Sequence, residues 1–203
     1  MAYSADFKSL EKRIGTLRKH FLPVQFSKTG TYTPEQLDKA RAYRLLAHAE
    51  FEEFIEKRAS EIATEAVSLW ELKRRHSRVV IHLVANQVGN AAGFPTARGS
   101  GVTAEVIVTK CLEQYKYAVR KNHGVRITNI LSLLLPIGID EAEIDPVWLA
   151  TIDGFGADRG KAAHKAAVNY QIDPRSDFMV VSQIAEGLKE VDGLINTLKR
   201  SLR

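Results

Sequence analysis

The sequence predicts an all-α protein built as a bundle of helices. Apolar residues recur at three- and four-residue spacing, and residues 34–75 contain almost nothing that ends a helix. Thr or Asp directly before Pro, at 33–34, 145–146 and 173–174, is typical of helix starts, because the side chain caps the first turn and proline fits its first position. Residues 78–86 are β-branched and could form a strand or a short buried helix, and a sheet is not expected because no second strand-like segment offers them a partner.

The first helix is predicted over residues 5–21. Four apolar residues share one face of it: Phe7, Leu10, Ile14 and Leu17. After a connection rich in Thr, Gly and Pro, Thr33 begins the second helix, and Gln36 completes a capping-box pattern. At roughly 1.5 Å per residue the second helix would be about 60 Å long, so we expect it to bend or to span the bundle as a spine.

Residues 78–86 are predicted as a short buried helix, and a glycine-rich loop follows them. That loop lacks the Gly-Lys-Ser/Thr sequence of a phosphate-binding loop, so a simple connection is expected. A helix from about 103 to 122 is predicted to end at Gly124. A short apolar helix closed by Pro136 and Gly138 comes next.

Two helices are predicted after the Asp-Pro starts at 145–146 and 173–174. The first has three interior glycines, which predict either a bend or the close approach of another backbone: Gly154, Gly156 and Gly160. The last helix has apolar residues in alternating three-four spacing: Val181, Ile184, Leu188, Val191, Ile195, Leu198 and Leu202. This spacing is typical of core packing and also of a coiled-coil seam between two chains.

We expect one domain over residues 1–203, in which 1–33 form an N-terminal helix and connection and 34–203 form the helical core. Cys111 is the single cysteine, which excludes a disulfide framework and a cysteine zinc site. The charged N-terminal residues predict no secretory signal, and the apolar runs are too short to cross a bilayer, so a cytoplasmic protein is expected. The net charge of +5 is compatible with nucleic acid as a partner, although proteins that bind none often carry it.

An arginine followed by a histidine, with four to six residues between them, is the one pattern that suggests chemistry, and it occurs four times: Arg13/His20, Arg41/His48, Arg75/His82 and Arg159/His164. The pattern alone therefore selects no pair. On a regular helix, positions 159 and 164 are about 140° apart. They would act together only if the helix is distorted or if two chains pool their pairs across a symmetric interface.

The surroundings of Arg159 and His164 separate this pair from the others. Residues 122–164 contain "NHG", "NI", "LPIG", "WL" and "DRGKAAH" in that order, and residues 45–63 read "LLAHAEFEEFIEKRASEIA". Together they resemble the HEPN superfamily, in particular its RiboL-PSP-HEPN type. The resemblance implies an all-α homodimer that cleaves RNA, such as tRNA or mRNA, without a metal or cofactor. Such proteins often act as toxins or in antiphage defence, which implies an antitoxin or another defence protein as a possible partner.

Carried over by position, Arg159 and His164 match the catalytic pair of that family. A ribose 2′-hydroxyl attacks the adjacent phosphate, the histidine takes or gives the proton, and the arginine stabilises the negative charge that grows on the phosphate oxygens. The chain departs from the family at Gly160, where many active members have a polar residue. The alternative is therefore a catalytically silent HEPN-like module that binds RNA or protein, as an antitoxin or an assembly protein does.

Other residues are weaker candidates. Glu50 and Asp158 could orient the catalytic pair, although the sequence favours a structural acid at the core edge or paired with an arginine for Glu50 and a solvated helix acid for Asp158. Basic side chains interleaved with Tyr115 and Tyr117 are typical of single-stranded RNA binding, and also of an ordinary solvated helix face. The RNA-binding candidates are Arg120, Lys121, His123, Arg126 and, beside the catalytic pair, Lys161.

Overall fold

The computed structural model describes the backbone of residues 3–89, 103–164 and 172–202, and the side chains of 3–86, 103–158 and 172–202. Within these ranges it has seven α-helices and no β-strand, which confirms the all-α prediction. The helices are α1 (Ala5–Phe21), α2 (Pro34–Lys73), α3 (Arg78–Gly89), α4 (Ala104–Lys121), α5 (Ile127–Leu134), α6 (Pro146–His164) and α7 (Pro174–Ser201). Two short 3₁₀ turns, Leu135–Ile137 and Glu141–Glu143, lie between α5 and α6.

Helix α2 is the spine of the fold. It runs uninterrupted for 40 residues and contacts α1, α3, α4, α5, α6 and α7. Its start is the predicted capping box, in which the Thr33 hydroxyl accepts from the Gln36 amide and the Gln36 side chain accepts from the Thr33 amide. Its last residue is Lys73, and the C-cap Arg74 takes the left-handed conformation. Helices pack around α2 on several sides, so its buried residues are not confined to one stripe.

Helix α1 has the predicted bounds, and its four predicted apolar residues are buried against the core. Residues 78–86 are helical, as predicted, and belong to α3. Helix α4 ends at Lys121 with Asn122 as its C-cap, so the predicted terminator Gly124 lies two residues beyond the cap. Gly124 still needs its glycine, because its φ of +119° is one that other residues rarely adopt.

The apolar stripe of α7 is used inside the chain. All seven of its predicted residues are buried, the most exposed of them at 5%, and they belong to one hydrophobic core with side chains from α1 to α6. Of the two interpretations of this spacing, core packing is the one that the structure supports. These side chains are not available for a coiled coil with a second chain. Within the described ranges, no helix is both long and apolar enough to cross a membrane.

Candidate functional site

The motif residues lie on the C-terminal part of α6. The backbone of this helix is described through His164, whereas the side chains of Arg159, Lys161 and His164 lie outside the described residues. Because the backbone is helical from Pro146 to His164, positions 159 and 164 are about 140° apart around the helix axis. Within one chain, the helix therefore does not place the two positions on a common face.

Helix α6 is anchored to the α4–α5 connection just before the motif. The Asp153 carboxylate accepts from Nε and Nη2 of Arg126, at 3.2 and 3.1 Å, and from the Ile127 amide at 3.0 Å. One turn later, Gly156 lets the connection approach closely: a Cβ there would lie 3.1 Å from Arg126 Cγ and 3.2 Å from the Arg126 backbone nitrogen. The glycine-rich sequence thus reflects the approach of another backbone at Gly156, whereas a Cβ at Gly154 would meet nothing within 4 Å.

A second anchor joins α6 to α2 and α7 through a buried arginine. Arg44 Nη1 lies 2.5 Å from Asp177 Oδ1, and Arg44 Nη2 lies 3.4 Å from Asp158 Oδ2. The guanidinium also lies over the Phe155 ring, 4.7 Å from its centroid. One cation of α2 therefore holds carboxylates of α6 and α7 together, next to the position where the motif begins.

Asp177 has an unusual environment for a carboxylate. The residue is 3% exposed, and its Oδ2 has no hydrogen-bond partner among the described residues. Burial raises the pKa of Asp177 to about 6, and the attraction of Arg44 offsets part of this effect. The pKa of about 6 still lies below neutral pH, so the carboxyl is ionised there and pairs with Arg44 through Oδ1.

Polar side chains continue along α2 at four-residue spacing from Arg44. His48 is buried, stacks on Phe155 and has Nδ1 3.6 Å from Glu52 Oε2. Glu52 accepts from the Gly124 amide at 2.5 Å. Glu56 accepts from Asn122 Nδ2 at 2.8 Å, and burial raises its pKa despite that hydrogen bond. This row is absent from the sequence-based predictions, although the i, i+4 spacing of its polar residues along α2 was a usable signal.

The predicted RNA-binding residues divide into two groups. Arg120, Lys121 and His123 are exposed at the end of α4. Arg126, although exposed, is engaged with Asp153. The two interleaved tyrosines also differ. Tyr115 is buried and donates its hydroxyl to the Leu133 carbonyl at 2.7 Å, so it is a core residue, whereas Tyr117 is 58% exposed.

The two proposed orienting acids have arginine partners. Glu50 Oε1 accepts from Arg13 Nε of α1 at 2.7 Å, which is the pairing expected of a structural acid. Asp158 is the one held by Arg44. Among the described residues, no group of three or more His, Cys, Asp and Glu side chains could hold a metal ion.

Comparison of the chain with protein-family models, with curated proteins and with solved structures finds no match.

Proposed function

We propose that this chain is a HEPN-type endoribonuclease that cleaves RNA without a metal ion. The proposal assigns Arg159 to the phosphate and His164 to proton transfer, as the sequence resemblance implies. The single observation that supports it best is the anchoring of α6 immediately before the motif. Asp153 is held by Arg126 on one side, and Asp158 by the buried Arg44 on another. A catalytic arginine one residue after Asp158 would start from a fixed backbone, as positioning of a phosphate requires.

The reaction needs no external nucleophile. The ribose 2′-oxygen attacks the adjacent phosphorus, and the bond from phosphorus to the 5′-oxygen breaks. A histidine accepts the proton of the 2′-hydroxyl, and a protonated histidine supplies one to the leaving 5′-oxygen. The arginine guanidinium donates two hydrogen bonds to the phosphate oxygens, on which negative charge increases in the transition state. The products are a 2′,3′-cyclic phosphate and a 5′-hydroxyl.

The helical backbone of α6 supports the proposal of a composite site in a homodimer. With about 140° between them, positions 159 and 164 do not share a face of one helix. A two-fold axis beside the end of α6 would bring two arginines and two histidines to one cleft, because such an interface brings the same surface of both chains together. The cellular setting that we propose is a toxin or antiphage effector in the cytoplasm, held in check by an antitoxin or another defence protein.

The test is cleavage of total RNA and tRNA in excess EDTA by the purified chain and by its His164→Ala variant. His20→Ala is a matched control, because His20 also follows an arginine but is an exposed residue of α1. Cleavage by the unaltered chain and by His20→Ala, with cyclic phosphate ends and none from His164→Ala, is the expected result. Equal cleavage by all three proteins would contradict the assignment of His164.

A silent HEPN-like module is the second candidate function, and Gly160 is the observation that favours it. It predicts that the chain retains RNA, or a partner protein, and leaves RNA intact in the same assay.

A further inference from the structure

The C-terminal half of α4 carries positive charge that no residue of the described ranges neutralises. Residues 113–126 contain four basic side chains and one acidic side chain, Glu113. Arg126 is neutralised by Asp153, with which it forms two hydrogen bonds. Three basic side chains remain, and none of them forms an ion pair with a described residue: Lys116, Arg120 and Lys121. Many other arginines and lysines of this chain do form one. A polyanion could therefore approach them without displacing a carboxylate.

An aromatic ring lies among these charges. Tyr117 is 58% exposed, and Lys121, one turn further along α4, has its ammonium 5.7 Å from the ring centroid. Tyr115 is not accessible to a ligand, since it is 1% exposed and its hydroxyl donates to the Leu133 carbonyl. An exposed aromatic ring of this size on a polar helix face contributes little to folding, whereas such a ring can stack with a planar group.

A second tyrosine–lysine pair, Tyr3 and Lys189, differs from Tyr117 and Lys121 in the charges around it. Tyr3 is 40% exposed and has the Lys189 ammonium 5.2 Å from its ring centroid. There the lysine is neutralised, because Lys189 Nζ lies 3.0 Å from Glu186 Oε2, and Glu190 lines the same cavity. Glu186 and Glu190 beside Tyr3 would repel a phosphate, whereas residues 113–126, which contain Tyr117, have four basic side chains and one acidic side chain.

We propose that Tyr117, Lys116, Arg120 and Lys121 form a binding site for single-stranded RNA. An unpaired base stacks on the Tyr117 ring, and the three cations contact the flanking phosphates. The inference rests on the proposed function in one respect, because it takes the RNA strand bound here to be the strand that the nuclease cleaves. Val125, Arg126 and Ile127, which lie a few residues after this surface in the chain, are the ones that contact α6 before the motif. The site would thus hold the strand on the side of α6 from which the connection approaches.

Single-stranded RNA is the ligand that this combination of groups favours. Stacking on an aromatic ring requires a base that is free of its partner, and duplex RNA buries its base faces. The cations give affinity that does not depend on sequence and that decreases with salt, because binding releases counterions from the phosphates.

The test is fluorescence anisotropy with a labelled oligouridine of about 12 nucleotides, in the range of site sizes for such proteins. The His164→Ala chain is the parent, so that the probe stays intact. We expect Tyr117→Leu to weaken binding about 10- to 100-fold and Tyr117→Phe to preserve it, because phenylalanine keeps the stacking face. Tyr3→Leu is the matched control and should bind as the parent does. A duplex RNA probe should bind the parent and its Tyr117→Leu variant equally well.

The salt dependence tests the cations separately. In a triple variant, Lys116→Gln, Arg120→Gln and Lys121→Gln, the slope of log K against log salt should fall by about 2, since each phosphate contact on a single strand contributes about 0.7. Lys12→Gln, which removes an exposed charge of α1, should leave the slope close to that of the parent.

The proposed site is wrong if the parent protein does not bind the oligouridine or if Tyr117→Leu binds it as tightly as the parent does. It is also wrong if Tyr3→Leu loses as much affinity as Tyr117→Leu. Thermal unfolding of each variant shows whether a loss of binding comes with a loss of fold.

The proposed function fails in a different way. A chain that binds through Tyr117 but leaves RNA uncut in the cleavage assay is not a nuclease, yet the binding site stands.

Discussion

Arg44 and Asp177 form the most buried contact between charged groups near the motif. Their side chains are 9% and 5% exposed, and the arginine also reaches Asp158 and Phe155. Removing the arginine alone would leave Asp177 buried without a cation, a change that costs about 3–5 kcal/mol in comparable sites. The Arg44–Asp177 pair therefore constrains the structure more than it adds to the net free energy of folding.

The raised pKa of Asp177 predicts how stability depends on pH. With a folded-state pKa of about 6, above the usual value near 4 in unfolded chains, the folded state holds the proton more tightly. The contribution of this carboxyl is fully present below about pH 4 and is lost as the pH rises through about 6. Between about pH 4.5 and 7.5, the free energy of unfolding of the unaltered chain should therefore fall by roughly 1–2 kcal/mol relative to that of Asp177→Asn.

Urea unfolding of both proteins at the two pH values measures this difference. Asp38→Asn is the control, since the Asp38 side chain is 68% exposed and pairs with Arg41 at the surface. A difference between Asp177→Asn and the unaltered chain that is the same at both pH values would contradict the raised pKa.

At the scale of the helices, most of the fold could be predicted because the signals are local. The caps at Thr33, Asp145 and Asp173 act within three residues of their own position, and each is formed as expected. The face that α7 buries was also visible in its spacing. What that face packs against was not, because the choice between a second chain and α2 depends on the arrangement of the whole bundle.

The same limit applies to the candidate site. The sequence marks Arg159 and His164 through a resemblance, but it does not show that Arg44 would join two acids that lie 114 and 133 residues away. Nor does alternation with basic residues distinguish Tyr115 from Tyr117. Their positions differ by two on α4, which turns one ring toward Leu133 and the other toward solvent.

Two glycines of α7 give a matched test of its packing. A Cβ at Gly187 would lie 2.0 Å from Cδ1 of Trp148, whose indole nitrogen donates to the Ile184 carbonyl. At Gly193 a Cβ would meet nothing within 4 Å. Gly187→Ala should therefore lower the free energy of unfolding by about 1–3 kcal/mol, since the tryptophan must move. Gly193→Ala should raise it by about 0.5–1 kcal/mol through helix propensity alone.

Thermal or denaturant unfolding of the two variants side by side checks this prediction. Stabilisation by both substitutions would mean that α6 and α7 are further apart at Trp148 than described.

At the scale of the whole molecule, the proposed composite site makes a prediction about mixtures. Chains with Arg159→Ala and chains with His164→Ala should each be inactive. When the two are refolded together, about half of the dimers contain one chain of each kind, if pairing is random. Such a dimer keeps one arginine and one histidine in its cleft, so RNA cleavage should reappear in the mixture.

A mixture of Arg159→Ala with the double variant Arg159→Ala/His164→Ala is the control, because none of its dimers contains the arginine. Size-exclusion chromatography shows whether dimers form. Dimers that form without any return of cleavage would contradict a cleft shared between chains.

The central position of α2 has a consequence for how the chain opens to water. Every other α-helix of the described ranges contacts α2, so the detachment of a single neighbour leaves α2 packed against the others. Amide hydrogens near Phe51, Ala59 and Ile62, all at most 2% exposed, should exchange with solvent deuterium only when the whole fold is lost. Their exchange rates would then report the global free energy of unfolding, while α1, which rests mainly on α2 and α7, can release its amides in a smaller opening.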